Sequence, residues 1–386
     1  MGYLHLAIPP VLYHNGQSMI NIDCSSIDLT HGSLQTPAFL PDATFGYVRS
    51  VSPQDLLDCS IQALVMNTFH LMQKPGSSTV QSLGGLHKMS GWQRPIITDS
   101  GGFQAYSLIR QDPAYGSINE KGLSFKPEGA NRKFLLTPEK SVQLQIGFGA
   151  DIVICLDDCT HVDAPQDQQT LSVARTVNWA KRSRTEFDRL MKEKNIEQSR
   201  QPLLFAVVQG GGSKDLRRHC AEQLLEIGFD GYGYGGWPLD GQGNLLEDML
   251  TYTRELVPDN YPLHALGVGH PQNVFACAQM GYALFDSAMP TRDARHGRLY
   301  TFNTSENEPY RGLEGKWMQY YYVNDDKHIK DANPISEYCD CPTCRQFSRG
   351  YLRHLFKQND GLYLRMATLH NLRFMTQLMQ RIRALP

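Results

Sequence analysis

Short apolar or β-branched runs recur through the first three quarters of the chain: Thr36–Leu40, Gln62–Met66, Pro95–Thr98, Asp151–Leu156, Leu203–Val208, Phe229–Tyr234, Leu263–Val268 and Tyr282–Phe285. Most are continuous rather than alternating, as expected of parallel strands buried on both faces. Segments with helical spacing of apolar positions lie between several of them, including Lys214–Ile227 and Leu245–Leu256. Eight strand candidates with intervening helices predict an α/β fold, a (β/α)₈ TIM barrel. A doubly wound open sheet is the alternative, but no Gly-x-Gly-x-x-Gly turn follows the first strand.

Polar residues or glycines stand where the runs stop: Asn67, Asp99, Asp157, Gln209, Gly235-Gly236, Gly267 and Asp286. In such barrels the C-terminal strand ends form the active-site face, so these positions gather around one mouth. The stretch from Asp99 to Asp151 is too long for one βα unit. Within it, Gly122–Lys126 and Lys133–Leu136 predict a hairpin, and Thr137-Pro138 predicts a helix start with Thr as cap and Pro in the first turn.

After the last strand candidate comes Cys339-Asp340-Cys341-Pro342-Thr343-Cys344, and later His370. Three thiolates and one imidazole complete a tetrahedral shell for one Zn²⁺ per subunit, and a closed shell is structural because no position is left for substrate. His354 is the competing fourth ligand. The expected organisation is a single barrel domain over residues 1–386, with a zinc-binding subdomain embedded at 304–372 and a C-terminal helix at 373–386.

Composition adds less. Nine cysteines, an odd number spread through a long chain, fit reduced thiols and a metal site in the cytoplasm better than a disulfide framework. No apolar run is long enough for a membrane span, and Met1–Pro10 lacks the basic start and cleavage-like end of a signal peptide. The formal net charge is −2, but from Arg345 onward eight Arg or Lys face Asp360 alone, so a basic end sits on an acidic body. That asymmetry marks either a nucleic-acid-facing surface or a solvated helix face.

Asp99, Asp157 and Asp286 are three carboxylates at three strand ends. They could flank a glycosidic bond, one attacking the anomeric carbon while another handles the leaving group's proton. They could equally hold a divalent metal, or cap helices. Beyond spacing, the chain carries, in order, Thr98-Asp99-Ser100-Gly101-Gly102-Phe103-Gln104, Val208-Gln209-Gly210, Gly235-Gly236 and Leu266-Gly267-Val268-Gly269. Phe285-Asp286-Ser287-Ala288-Met289-Pro290-Thr291-Arg292-Asp293-Ala294-Arg295-His296-Gly297 follows, ahead of the Cys-x-Cys-x₂-Cys and its histidine. Together these closely resemble the tRNA-guanine transglycosylases of bacterial type, from about Gly32 to the C-terminus.

The resemblance implies exchange of guanine 34 in tRNAs with GUN anticodons for a 7-deazaguanine, in queuosine biosynthesis. Asp286 matches the nucleophile that forms a covalent bond to ribose, and Asp99 the general acid/base. In the base pocket, Asp157 suits the donor edge of a guanine-like base, Gln209 and the Gly236 N–H suit O6, and Phe103 and Leu266 suit the two ring faces. Arg292 and Arg295 match positions that contact the anticodon loop, and a homodimer is implied.

The chain departs from the family where Trp237-Pro238-Leu239-Asp240-Gly241 follows the glycine pair. Leu239 stands near the glycine of queuine-using enzymes, and Cys159 is the residue type of preQ1-using ones; both favour preQ1, whereas Trp237 could reshape the pocket toward either base. A queuine-inserting enzyme and a non-catalytic tRNA-binding subunit are the competing expectations. The latter expects loss of Asp99 or Asp286, and both are present.

Overall fold

The structure is a computed structural model that describes residues 25–127, 133–303, 313 and 315–385. The first ten residues and the expected subdomain start at 304 lie outside the described residues. Eight parallel strands form one sheet: β1 (Ala38–Pro41), β2 (Leu64–Met66), β3 (Ile96–Thr98), β4 (Ile152–Ile154), β5 (Leu203–Val208), β6 (Gly231–Tyr234), β7 (Leu263–Ala265) and β8 (Leu284–Ser287). They pair in chain order, and β8 pairs with β1. The ring closes by a parallel bridge between Asp42 and Val65, beside a 2.7 Å hydrogen bond from the Ala43 N–H to the Val65 carbonyl. All eight expected strands are present, and the open-sheet alternative is set aside.

Register fixes which side chains fill the barrel. Val65 pairs with Ile97, Ile97 with Ile152, Val207 with Gly233, Gly233 with His264, His264 with Leu284 and Leu284 with Ala38. Paired residues of neighbouring strands share a face, and successive residues alternate. Ala38, Leu40, Val65, Ile97, Ile152, Ile154, Leu203, Phe205, Val207 and Leu284 accordingly form one buried inner cluster. An antiparallel hairpin, Ser26–Leu29 with Gly32–Gln35, adds Ile27 and Leu34 to that cluster and closes the floor. Continuing the alternation upward brings Asp42, Asn67, Asp99, Gln209, Gly235, Leu266 and Asp286 to the inside of the mouth.

The helix Lys214–Ile227 lies where its periodicity placed it, and the next is Glu247–Leu256, beginning after a bridge between Leu239 and Leu245. The expected hairpin is Gly122–Phe125 with Phe134–Leu136, and Gly116–Asn119 adds a third antiparallel strand. The Thr137 side chain accepts the Lys140 N–H at 3.1 Å and starts the helix Pro138–Phe148.

After β8 come a short helix, Met289–Arg295, and an antiparallel pair, Arg298–Phe302 with Met318–Tyr322. The metal-ligand loop and the helices Pro342–Gln346, Arg349–Lys357 and Gly361–Arg383 follow. The last helix runs unbroken through residues 372 and 373. Its Phe374, Met375, Leu378 and Met379 join the core outside the strands, where Phe39 of β1 also lies, so this helix completes the barrel wall.

Six of the eight cations of the basic end have partners within the chain. Arg349 pairs with Asp331, Arg353 with Asp326, Arg365 with Asp55 and Arg373 with Asp340. Arg383 donates to the Pro37 carbonyl, and Arg381 stacks 3.8 Å from the Phe302 ring centre. These cations hold the last helices to the acidic body, which the count of charges along the chain does not reveal.

Candidate active site and metal-ligand cluster

Asp286 ends β8, and its Oδ1 accepts the Gly267 N–H and the Nε2 of His264, each at 2.9 Å. Gly267 can turn its N–H inward because it adopts a positive φ of 76°. His264 lies one layer deeper on β7, 1% exposed, with its Nδ1 unpartnered among the described residues. These two contacts fix the carboxylate in place and leave its Oδ2 toward the mouth.

Asp99 ends β3. Its Oδ1 accepts N–H groups of Thr68 and Gly101 at 2.9 and 3.2 Å, and its Oδ2 accepts from Asn67. It therefore also caps the first turn of the helix Thr68–Leu71, so the capping alternative is partly right. Burial, reinforced by the charges of Asp286 and Asp42 against these N–H donors, pushes Asp99 up to about 7. Asp99, Asp157 and Asp286 do not bring three ligand atoms within 4.8 Å of one another, so the carboxylate metal site fails on geometry.

Asp157 and Gln209 sit side by side, with Gln209 Nε2 donating to Asp157 Oδ2 at 2.6 Å. Burial pushes Asp157 up to about 6, with Asp158 adding repulsion and the Gln209 amide opposing it. Gln209 Oε1 is buried and has no partner among the described residues. Gly236, at a positive φ of 93°, and Cys159, whose thiol burial pushes well up, complete this corner. A buried amide oxygen without a partner and a carboxyl held off its ordinary value together mark a recess built to be completed by a polar ligand.

The recess is braced from behind by residues the sequence did not single out. Arg217, fully buried, donates to the carbonyls of Gly211, Val208 and Gly235 at 3.0 to 3.1 Å and lies over the Tyr234 ring. It ties the ends of β5 and β6 together. Gln145 binds the Thr98 hydroxyl and the Ile154 N–H, each at 2.9 Å, and so ties β3 to β4. Both project from helices behind the sheet, and nothing in their sequence neighbourhood marks them. Asp42 was also missed, although Ala38, Leu40 and Asp42 form an alternating series that leads to the mouth.

Phe103 is 45% exposed beside the recess, and Leu266 is half-buried at the top of the inner cluster. Trp237 packs against residues that follow β3 and β4. Its ring lies 5.3 Å from Phe103, 6.2 Å from Tyr106 and 5.0 Å from His161, with Arg110 at 5.8 Å. The helix Gly102–Gln111 after β3 and the segments after β4 and β6 thus meet around one indole. Arg292 is exposed and Arg295 half-buried on the helix after Asp286, while Asp293 turns inward to Arg298 and Tyr300.

Away from the mouth, Cys339, Cys341, Cys344 and His370 place four ligand atoms within 4.8 Å of one another and could hold a metal ion. His370 Nδ1 lies 3.6 and 3.3 Å from the sulfurs of Cys341 and Cys344, while its Nε2 faces the Tyr300 carbonyl at 2.8 Å. The carbonyl accepts a hydrogen bond from Nε2–H and leaves Nδ1 as the ligand atom, the outer support metal-binding histidines usually have. His354 is exposed on another helix and is not the fourth ligand.

Comparison with known proteins follows the same lines. Residues 23–385 match the sequence model of the family described as queuine tRNA-ribosyltransferase. Curated proteins named queuine tRNA-ribosyltransferase are similar over most of both chains. That of Thermoanaerobacter pseudethanolicus is 36% identical over 95% of this chain and 90% of its own. That of Lysinibacillus sphaericus is 37% identical over 92% and 85%, and one from a Shewanella species 38% over 91% and 87%. No helix among the described residues is long and apolar enough to cross a membrane.

Proposed function

The chain belongs to the queuine tRNA-ribosyltransferase family, and from that premise we propose that it exchanges guanine 34 of GUN-anticodon tRNAs for a 7-deazaguanine, preQ1, through a covalent bond to Asp286. One observation carries the mechanism: two carboxyls of one mouth stand in opposed environments. Asp286 is held as an acceptor by the Gly267 N–H and His264, whereas Asp99 is pushed up to about 7 and can carry or release a proton at neutral pH.

The steps balance without an external energy source. An Asp286 oxygen attacks ribose C1′, the bond from C1′ to guanine N9 breaks, and its electron pair leaves with guanine, which takes a proton from Asp99. The incoming base gives its N9 proton to Asp99, N9 attacks C1′, and the bond to Asp286 breaks, restoring the carboxylate. Two inversions give net retention. Asp157 accepts from the donor edge of either base, while the Gly236 N–H and Gln209 face O6. Gln209 Oε1 as placed is an acceptor, so facing O6 calls for its amide to present nitrogen there once the base is bound.

Trp237 supports preQ1 over queuine: an indole packed between Phe103 and His161 leaves a small, cationic 7-substituent easier to seat than a cyclopentenediol. Cys339, Cys341, Cys344 and His370 would hold one structural zinc, outside the reaction. Arg292 and Arg295 would meet anticodon-loop phosphates.

The test is competition among labelled guanine, preQ1 and queuine for an anticodon stem-loop, read beside a denaturing gel for an RNA–protein adduct. PreQ1 entry with an adduct is expected. Queuine entry alone would reverse the base assignment, and absence of any exchange would sink the function.

A further inference from the structure

The inner ring of the mouth has a sugar side and a base side. Asp157, Gln209 and Gly236 lie at the ends of β4, β5 and β6, so a base held by them leaves its ribose over the opposite arc, at β8, β1 and β2. Asp286 has two neighbours in that ring. Toward β7 it meets Leu266, which is apolar, and toward β1 it pairs with Leu40, above which Asp42 stands. The pairing of Leu40 with Asp286 puts Asp42 on the same inner face, one step further up the mouth.

Stereochemistry then says what Asp42 faces. Displacing a β-linked base by inversion requires attack on C1′ from the α face of the ribose. The 2′-hydroxyl projects from that same face, on the adjacent carbon. A side chain beside the nucleophile on the neighbouring strand is therefore where the 2′-hydroxyl arrives, whereas Leu266 offers it nothing to bind.

A folding role does not account for a carboxyl here. Asp42 is half-buried, its Oδ1 accepts the Thr44 hydroxyl at 2.5 Å, and it adds negative charge beside Asp286 and Asp99. An asparagine would hold Thr44 without that repulsion. His70 and Arg295 are the cationic or ionisable groups that share its field, and Arg295 in turn feels Arg49 and Arg292. Those three arginines thus gather on the same side of the mouth as Asp42.

We propose that Asp42 hydrogen-bonds the 2′-hydroxyl of the reacting nucleotide and so makes the site select ribose over deoxyribose at the exchanged position. The inference rests on the base-exchange reading above. A protonated Asp42 donates to O2′ and an ionised one accepts from it, so the contact survives either state. Hydrogen bonds to this hydroxyl strengthen as positive charge develops at C1′, which places the effect in kcat. The same contact lets a protein tell RNA from DNA at one residue.

The experiment measures labelled-guanine exchange into two anticodon stem-loops that differ only in guanosine or 2′-deoxyguanosine at the exchanged position. For Asp42→Ala the ratio of ribo to deoxy kcat/KM is expected to fall by at least about tenfold, through a loss on the ribo substrate alone. Asp42→Asn, which keeps both the Thr44 contact and a hydrogen-bonding group, is expected to hold the ratio within about threefold. Equal loss on both substrates, or an unchanged ratio in the Ala variant, would overturn the proposal. If the unaltered protein exchanges no guanine into the ribo stem-loop, the reading beneath it fails first, and the two failures are told apart by that control.

Discussion

At the barrel mouth Asp99 is pushed up to about 7, Asp157 up to about 6, and Gln209 Oε1 and His264 Nδ1 have no partner among the described residues. The metal-ligand cluster is tied in differently. His370 faces sulfurs with one nitrogen and the Tyr300 carbonyl with the other. Asp340 takes two hydrogen bonds from Arg373, and the Thr343 hydroxyl reaches the Met366 carbonyl at 2.6 Å. Both regions are polar clusters set against apolar walls. The mouth leaves polar groups for a substrate to complete, whereas the cluster turns its ligand atoms on one another for a metal ion and ties the residues around them to the chain, and that difference separates a structural site from a reactive one more clearly than residue type does.

Replacing one residue of the mouth should therefore remove chemistry and leave the fold intact. Asp286→Ala loses two hydrogen bonds of a half-buried side chain, so its unfolding midpoint should stay within a few degrees of the parent. Its guanine exchange should fall by at least about 10⁴-fold, about 5.5 kcal/mol of barrier, and the RNA adduct should vanish. Exchange surviving with an adduct at another residue would break the contrast at its strongest point.

The converse experiment removes the metal. Chelation, or Cys344→Ser, strips a ligand set that links the loop after residue 338 to the helix Gly361–Arg383. Thermal unfolding should fall by about 5 to 10 °C, with exchange recovering when Zn²⁺ is returned to the chelated protein. Loss of activity at unchanged stability would argue that the metal acts in the reaction after all.

How much of this was visible beforehand differs between the two regions. The barrel was legible because continuous apolar runs, each ending in a polar residue, repeat at βα spacing. The ligand cluster was legible because close cysteine spacing has few other uses. The choice of His370 over His354 was settled by burial, which a helical run of mixed residues does not display. Arg217 and Gln145 were hidden because their partners are backbone carbonyls and amides of distant strands, and no spacing encodes such contacts. Asp42 was hidden because the first strand was read as ending at Leu40, and the partners of the basic tail were hidden because they lie as far back as Asp55.

A smaller effect is expected from pH. Burial holds Asp157 above the ordinary carboxylate range, so in the free protein it is protonated below about 6 and ionised above. A guanine-like base presents donors to it and needs the ionised form. Base affinity is thus present above pH 6 and is lost as pH falls, by about tenfold per unit once well below that value. Titration calorimetry with preQ1 between pH 5 and 8 reads this directly, and Asp157→Asn should abolish the slope. A flat profile would mean the base is held by other groups.

The smallest effect should appear where the two regions touch. Asn371 follows the ligand His370 on one buried helix and reaches toward the mouth: Oδ1 accepts the Tyr300 N–H at 3.0 Å, and Nδ2 donates to the carbonyls of Pro290 and Arg298 at 2.9 and 3.1 Å. Tyr363, from the same helix, donates to the Ala294 carbonyl at 2.8 Å. The helix Met289–Arg295, which carries the chain on from Asp286, is thereby pinned to the metal-ligand helix. Asn371→Asp keeps the shape and the acceptor but turns two donated hydrogen bonds into repulsion. The metal should remain bound, since none of its ligands changes, and stability should fall by about 1 to 3 kcal/mol. If the clamp positions the nucleophile, kcat should drop about three- to tenfold while KM for the free base stays put, because the base recess is braced separately by Arg217 and Gln145. A stability loss with unchanged kcat would show the two regions to be independent. A rise in KM alone would show that the clamp shapes the tRNA surface and not the attack on C1′.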